Sequence, residues 1–189
     1  MLKTLISFTM ALIVVAGIVA AILTFISRGF TSPVPWVLVI GVVAIPFIYK
    51  RYSSSKTISW DPSYSVGITV LDDDHKHLIH LINQLESASN YYTGSEFEEK
   101  ALQEVVDYTK YHFEREEKLM KDNNYPDFEN HSKTHMKMII KVNQVVEDYK
   151  NNPNYAINDT VKFLRDWLIN HICKTDREYI EFFKTKGIS

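Results

Sequence analysis

The chain has one cysteine, Cys173, among 189 residues. That excludes an intrachain disulfide framework and fits a reducing compartment. A surplus of positive charge is missing too: 21 basic and 23 acidic residues leave a formal net charge of -2. Phosphate binding needs a basic surface, so no nucleic-acid partner is expected. The first fifty positions hold no acidic residue, only Lys3, Arg28 and Lys50. The remainder therefore carries a net charge of about -5 by the usual count. There is no Gly-rich phosphate loop, no His-Glu-x-x-His zinc-protease pattern, no internal repeat and no strand-period alternation.

Charge is also absent from Thr4 to Ile26, and that run is long enough to cross the hydrocarbon core of a bilayer. A second uncharged run, Gly29 to Tyr49, is interrupted by Pro33, Pro35 and Pro46 and lies near the lower limit for spanning. Trp36 and Tyr49 sit near its ends, where amphipathic aromatics favour the interface. Two transmembrane helices, at 4–27 and 33–49, are expected within an anchor over residues 1–50. The alternative is a cleaved secretory signal. Against it, the first run exceeds a usual signal core, and no small-x-small cleavage site follows. Lys3 and the KRYSSSK segment favour both ends of the hairpin on the cytoplasmic side, with Arg28 opposing. The expected location is the inner membrane, with the soluble domain facing the cytoplasm. Residues 51–70 read as a Ser-rich linker and an irregular arm, since Pro62 and Gly67 break any helix there.

From Leu71 to the C-terminus the apolar spacing is helical. Leu71, Leu78, Ile79, Leu81, Ile82 and Leu85 form one stripe, with Asp72 to Asp74 in the first turn, where the helix dipole favours acids. A second helix starts at Ser95, where Glu98 completes a capping-box pattern, and ends at Asn123-Asn124. A third runs from about Asp127 to Tyr149 and is stopped by NNPN. The fourth starts near Asn158 and continues, with or without a bend, to Gly187. Four such helices with short connections describe an all-α, up-down-up-down four-helix bundle over residues 71–189.

Each helix brings residues that a metal would take. His75 lies on the first, His112 with Glu116 on the second, His131 with His135 on the third, and His171 with Asp176 on the fourth. Residues four apart share a helix face, so the middle two pairs can both aim inward. Five apart is awkward, because side chains at that spacing diverge by about 140° on a straight helix. Either Asp176 reaches around, or the helix bends after His171. Five imidazoles and two carboxylates are too many for one ion and suit two. Imidazole with carboxylate suits iron, whereas zinc takes four donors and would need fewer residues. If both carboxylates bridge, the imidazoles divide three to two. A bridging oxygen then leaves one iron six-coordinate and the other five-coordinate. The Glu-x-x-His pairs of ferritin-like bundles are absent, since Thr109, Phe128, Ser132 and Leu168 stand three before His112, His131, His135 and His171. His77 and His80 read as surface residues, and Cys173 as structural.

Four segments carry a resemblance: WDPSYSVGITVLDDDHKHL at 60–78, HFEREEKLM at 112–120, YPDFENHSKTH at 125–135 and WLINHICKTDREY at 167–179. In this order they resemble the hemerythrins, specifically the bacterial ones, over about Trp60 to Tyr179. The resemblance implies a non-haem, oxo- or hydroxo-bridged pair of iron ions that binds O2. His131, His135 and His171 would hold the six-coordinate iron, and His75 and His112 the other. Glu116 and Asp176 would bridge. The five-residue spacing from histidine to aspartate is the family's own. Phe113, Trp167, Leu168 and Ile172 would line an apolar O2 pocket. One departure is Asp74, where the family often has Gln, a difference bearing on the surroundings of His75.

The function expected is reversible O2 binding for transport, storage or delivery near the membrane, with a membrane oxidase as one conceivable partner. The membrane hairpin is not part of the basic family module, so the physiological role does not carry over. Two other classes stay open: an O2 or redox sensor acting through a partner, and a di-iron enzyme reducing peroxide or nitric oxide.

Overall fold

The computed structural model describes residues 2–52, 57–91, 94–152, 155 and 157–189. Residues 53–56 of the expected linker lie outside them, as do 92–93 and residues 153–154 of the NNPN run. Two compact units divide the chain, Met1–Lys56 and Thr57–Ser189.

The first unit is a pair of packed helices, α1 (Leu2–Arg28) and α2 (Pro33–Tyr52). They approach closely at Gly17, where an added Cβ would sit 2.6 Å from Val42 Cγ2. The turn is held by Trp36, whose Nε1 donates to the Phe30 carbonyl at 3.0 Å and whose ring meets Phe25 edge-on. Leu12, Ile22, Leu23 and Ile26 remain exposed along α1. Such an apolar surface on a helix is stable only when covered, by lipid or by another protein surface. One helix among the described residues is long and apolar enough to cross a membrane, Phe8–Arg28. The apolar part of α2, Pro33–Ile48, is shorter, so the second expected span is not established.

The second unit holds the bundle. Its helices are α3 (Thr69–Tyr91), α4 (Ser95–Asp122), α5 (Phe128–Asn151), α6 (Ile157–Asn170) and α7 (Arg177–Thr185). A π-helical turn, His171–Thr175, joins the last two. Helix α3 packs on α4 and α6, and α4 packs on α5. The apolar stripes read from the sequence face inward: Leu71, Leu78 and Leu85 from α3, Leu102, Val105 and Val106 from α4, Met138 and Val142 from α5, Val161 and Leu164 from α6. Burying each large side chain contributes about 1.5–3 kcal/mol.

The unit begins before Leu71, at Thr57. Val66 and Ile68 of the arm are buried in the core, and Asn83 pins Ile58 with two hydrogen bonds, at 2.9 and 2.7 Å. The Asp72 carboxylate accepts from Val66 N at 2.8 Å and from Ser65 Oγ, fixing the sharp entry to α3. Gly67, at φ +77°, makes that entry possible, because a side chain there would be strained.

The capping box expected at Ser95 does not form. Gly94 is the N-cap, with no side-chain cap bond, and Glu98 instead accepts from the Tyr149 hydroxyl at 3.1 Å, tying the start of α4 to the end of α5. Helix α4 ends as expected, with Asn123 as C-cap and Asn124 at φ 57°.

Candidate metal centre

Chain direction brings the donors together. His75 lies near the start of α3 and His131 and His135 near the start of α5, whereas His112 and Glu116 lie towards the end of α4. His171 and Asp176 bracket the π-helical turn after α6. All seven side chains are buried, with Glu116, His75, His112 and Asp176 fully enclosed.

The five-residue spacing of His171 and Asp176 is accommodated by that turn. Asp176 N donates to the His171 carbonyl at 3.0 Å, a bond spanning five residues rather than four. The wider turn brings position i+5 round over position i, and such insertions recur at functional sites. His171 Nε2 and Asp176 Oδ1 lie 3.0 Å apart. The sequence left open a reaching side chain or a bent helix, and the backbone instead changes its hydrogen-bond period.

The donors form two groups that share Glu116. Glu116, His131, His135 and His171 present atoms all within 4.8 Å of one another, and so do His75, His112 and Glu116. Glu116 Oε2 lies 3.2 Å from His135 Nε2, 3.4 Å from His131 Nε2 and 3.9 Å from His112 Nε2. Asp176 also faces both ways: Oδ1 towards His171 and, at 3.7 Å, His131, with Oδ2 3.4 Å from His75 Nε2. The structure thus sets three imidazoles on one side, two on the other and both carboxylates between.

The same atoms explain why a cation fits. His112 Nε2, Glu116 Oε1, both nitrogens of His75 and both oxygens of Asp176 are buried without a hydrogen-bond partner. Each such atom costs about 1–3 kcal/mol when left unsatisfied. Burial works against the Glu116 charge, but hydrogen bonds from His131 and His135 outweigh it and hold the carboxyl well below its ordinary range. Burial and the Glu116 charge oppose ionisation of Asp176, yet His171 and His75 keep it low. Burial pulls His135 down, but bonds to Glu116 and Glu117 hold it up at about 9. His112 is pushed down, mainly by burial. Two anionic carboxylates among buried imidazoles suit a divalent cation.

Aromatic rings fix the imidazole planes. Phe113 stacks on His135 at 3.7 Å and Trp167 on His171 at 4.4 Å. Beside the centre lies a small apolar cavity of about 10 Å³, lined by residues that include Leu78, Thr109, Phe113, Met138, Trp167 and Leu168. Leu78, Thr109, Met138 and Leu168 each lie one turn from a donor, His75, His112, His135 and His171 respectively, which places the cavity over the centre as a whole. The Thr109 hydroxyl donates to the Val105 carbonyl at 2.7 Å, so the lining stays apolar. Ile172 is fully buried beside His171 but is not among the lining residues. His77 and His80 are exposed, and Cys173 is half-buried.

Two residues of the site escaped the sequence reading, and a third, Asp74, was assigned to the neighbouring imidazole. Asp74 faces His112 rather than His75, with Oδ2 3.4 Å from His112 Nδ1, which corrects the expectation that its identity bears on His75. Glu117 Oε1 lies 3.2 Å from His135 Nδ1. Tyr179 is buried beside His131, three residues after Asp176, with its hydroxyl unpartnered. Glu117 was visible as the neighbour of Glu116 in HFEREE, and Tyr179 as the last residue of WLINHICKTDREY.

A helical bundle with a buried histidine–carboxylate centre of two adjoining positions defines a class of metal-binding protein. Residues 66–183 match the Hemerythrin HHE cation binding domain, and the chain belongs to the hemerythrin family. It is 31% identical over 116 residues to the bacteriohemerythrin of Methylococcus capsulatus, covering 61% of this chain and 88% of that protein. The bacteriohemerythrin of Pseudomonas aeruginosa PAO1 is 32% identical over 123 residues, 65% of this chain and 78% of the relative. A wild-type hemerythrin crystal structure superposes with a TM-score of 0.61 at 28% identity, covering 65% of this chain and 94% of its own.

Proposed function

We propose that this chain binds O2 reversibly at a non-haem di-iron centre. The observation that carries the reading is the pair of donor groups sharing Glu116, with Asp176 facing both. His131, His135 and His171 would hold one iron, His75 and His112 the other, and Glu116 and Asp176 both. When bound, the iron pair supplies two electrons and an open coordination position to a small ligand. The protein does the rest. Two nitrogens on one side against three on the other leave the two-histidine position short of a donor. Phe113, Leu168 and Trp167 enclose the apolar cavity over the centre and exclude water, which protects the reduced state. The cavity has room for about one water-sized molecule at most, so it admits only a small ligand.

The enzymatic alternative needs a proton donor at the open side. Tyr179 keeps its proton, because burial and the charges of Glu116 and Asp176 push it well above its ordinary value. Its ring lies beside His131 and its hydroxyl is turned towards Glu116, outside the lining of the apolar cavity, which favours binding over turnover.

The test is a cycle of air and argon over the full chain in detergent, loaded anaerobically with Fe(II). The expected result is visible absorption that appears in air and disappears under argon over repeated cycles. Irreversible oxidation in the first exposure, or rapid consumption of peroxide or nitric oxide, contradicts the carrier reading.

The α1–α2 pair is the anchor in this reading, with the bundle in the cytoplasm, where O2 delivery or storage could serve membrane oxidases. Lys3 and the basic residues at and after the end of α2, Lys50, Arg51 and Lys56, support that orientation, with Arg28 opposing. A membrane-impermeant maleimide should label Cys173, the single cysteine, in opened cells and not in intact spheroplasts. Labelling in intact spheroplasts would reverse the topology.

A further inference from the structure

The two-histidine position is backed from outside by a buried group that none of the donor assignments includes. Asp74 is 2% exposed and sits between α3 and α4. Its Oδ2 is 3.4 Å from His112 Nδ1, and its Oδ1 accepts from the Tyr108 hydroxyl at 2.8 Å and from Arg115 Nη1 at 3.0 Å. Tyr108 in turn lines a surface groove of about 530 Å³ with His77, His80 and Tyr111, so the chain of contacts runs from the surface to the centre.

The chemistry follows from the donor inventory. A carboxylate at Nδ1 makes that nitrogen the protonated one, leaving the Nε2 lone pair to point inward. His112 Nε2 is the unpartnered atom on the inner side. His75 has no such support from outside: its Nε2 faces Asp176 at 3.4 Å, and its Nδ1 is buried without a partner. On the three-histidine side His135 meets Glu117, whose side chain is 21% exposed against 2% for Asp74 and whose further partners are Ser132 and, at 4.0 Å, Lys121. The two positions are therefore backed unequally.

We propose that Asp74 is a positioning residue for the two-histidine iron: it fixes the tautomer of His112 and sets its donor strength, and Tyr108 and Arg115 moderate that effect. The proposal rests on the di-iron reading above. A carboxylate accepting from a ligating imidazole makes the imidazole a stronger donor, which favours the higher oxidation state. Tyr108 and Arg115 draw charge from Asp74 and so weaken the push. Removing the carboxylate and removing either moderator must then shift the metal in opposite directions. A purely structural tie between α3 and α4 would not do that, because every such variant would loosen the same contact.

The experiment is spectroelectrochemical titration of the iron-loaded full chain in detergent, with iron retention against a competing chelator measured in parallel. Asp74→Asn should raise the midpoint potential and weaken iron retention about tenfold, the usual scale for losing such a partner. Tyr108→Phe and Arg115→Gln should lower the potential while keeping two irons. Both replace side chains that are only partly buried, so the test survives if Asp74→Asn folds poorly. Shifts of one sign in all three variants, or none in any, overturn the proposal while leaving the di-iron reading standing. A wild-type chain that shows no iron-dependent redox wave overturns both.

Discussion

Glu116→Ala abolishes iron binding at both positions, not one. The Glu116 carboxylate belongs to both donor groups, and one of its oxygens lies within 3.9 Å of three imidazoles from two helices. Its loss leaves those imidazoles buried around a void, with Asp176 as the one carboxylate left between the two positions. Asp176→Ala should act in the same way, because its two oxygens face opposite sides. Iron analysis after desalting should fall from about two ions per chain to well below one in both variants, given how strongly affinity depends on donor count and charge. His131→Ala and His135→Ala should each strip the three-histidine side. His77→Ala should retain the full complement, since His77 is exposed and outside both groups. Loss of iron in His77→Ala would overturn the donor assignment.

Removing the metal should cost the bundle a large share of its stability. A ligand present at 1,000 times its dissociation constant stabilises the folded state by about 4 kcal/mol. For a unit of this size that corresponds to a fall in Tm of about 10 °C or more on chelation. The physical source is the set of buried donors left without partners.

The pH dependence has a definite sign. His135 is raised above its unfolded value, to about 9, so without metal its contribution to stability is fully present at low pH and lost as pH rises through that value. Metal must displace the same proton, so the stabilisation it provides grows with pH. The gap between loaded and chelated melting curves should therefore widen from about pH 6 to pH 8. Circular dichroism melts of the full chain in detergent measure it directly. A gap near zero, or one that narrows with pH, contradicts the account.

The bundle was legible because its stripes are long and regular: Leu71 to Leu85, and Val161 to Leu168, keep helical spacing without competition from a strand pattern. The donors were legible by their types and by the four-residue spacings on α4 and α5. What stayed hidden depended on backbone geometry or on contacts far apart in sequence. The switch to a five-residue hydrogen bond at His171 carries no residue signature, so the spacing to Asp176 looked like a misfit. Asp74 meets His112 across 38 positions, and adjacency to His75 pointed to the wrong imidazole. Ser95 and Glu98 had the spacing of a capping box, but Glu98 is drawn instead to Tyr149 at the far end of α5. Local pattern lost there to a tertiary bond.

Iron per chain in the wild-type protein, loaded anaerobically with excess Fe(II) and freed of unbound metal, tests the central claim most directly. Two donor groups sharing Glu116 and Asp176 predict about two ions, with both lost together in Glu116→Ala. A wild-type chain saturating at one ion, or Glu116→Ala keeping one, would contradict a shared two-metal centre.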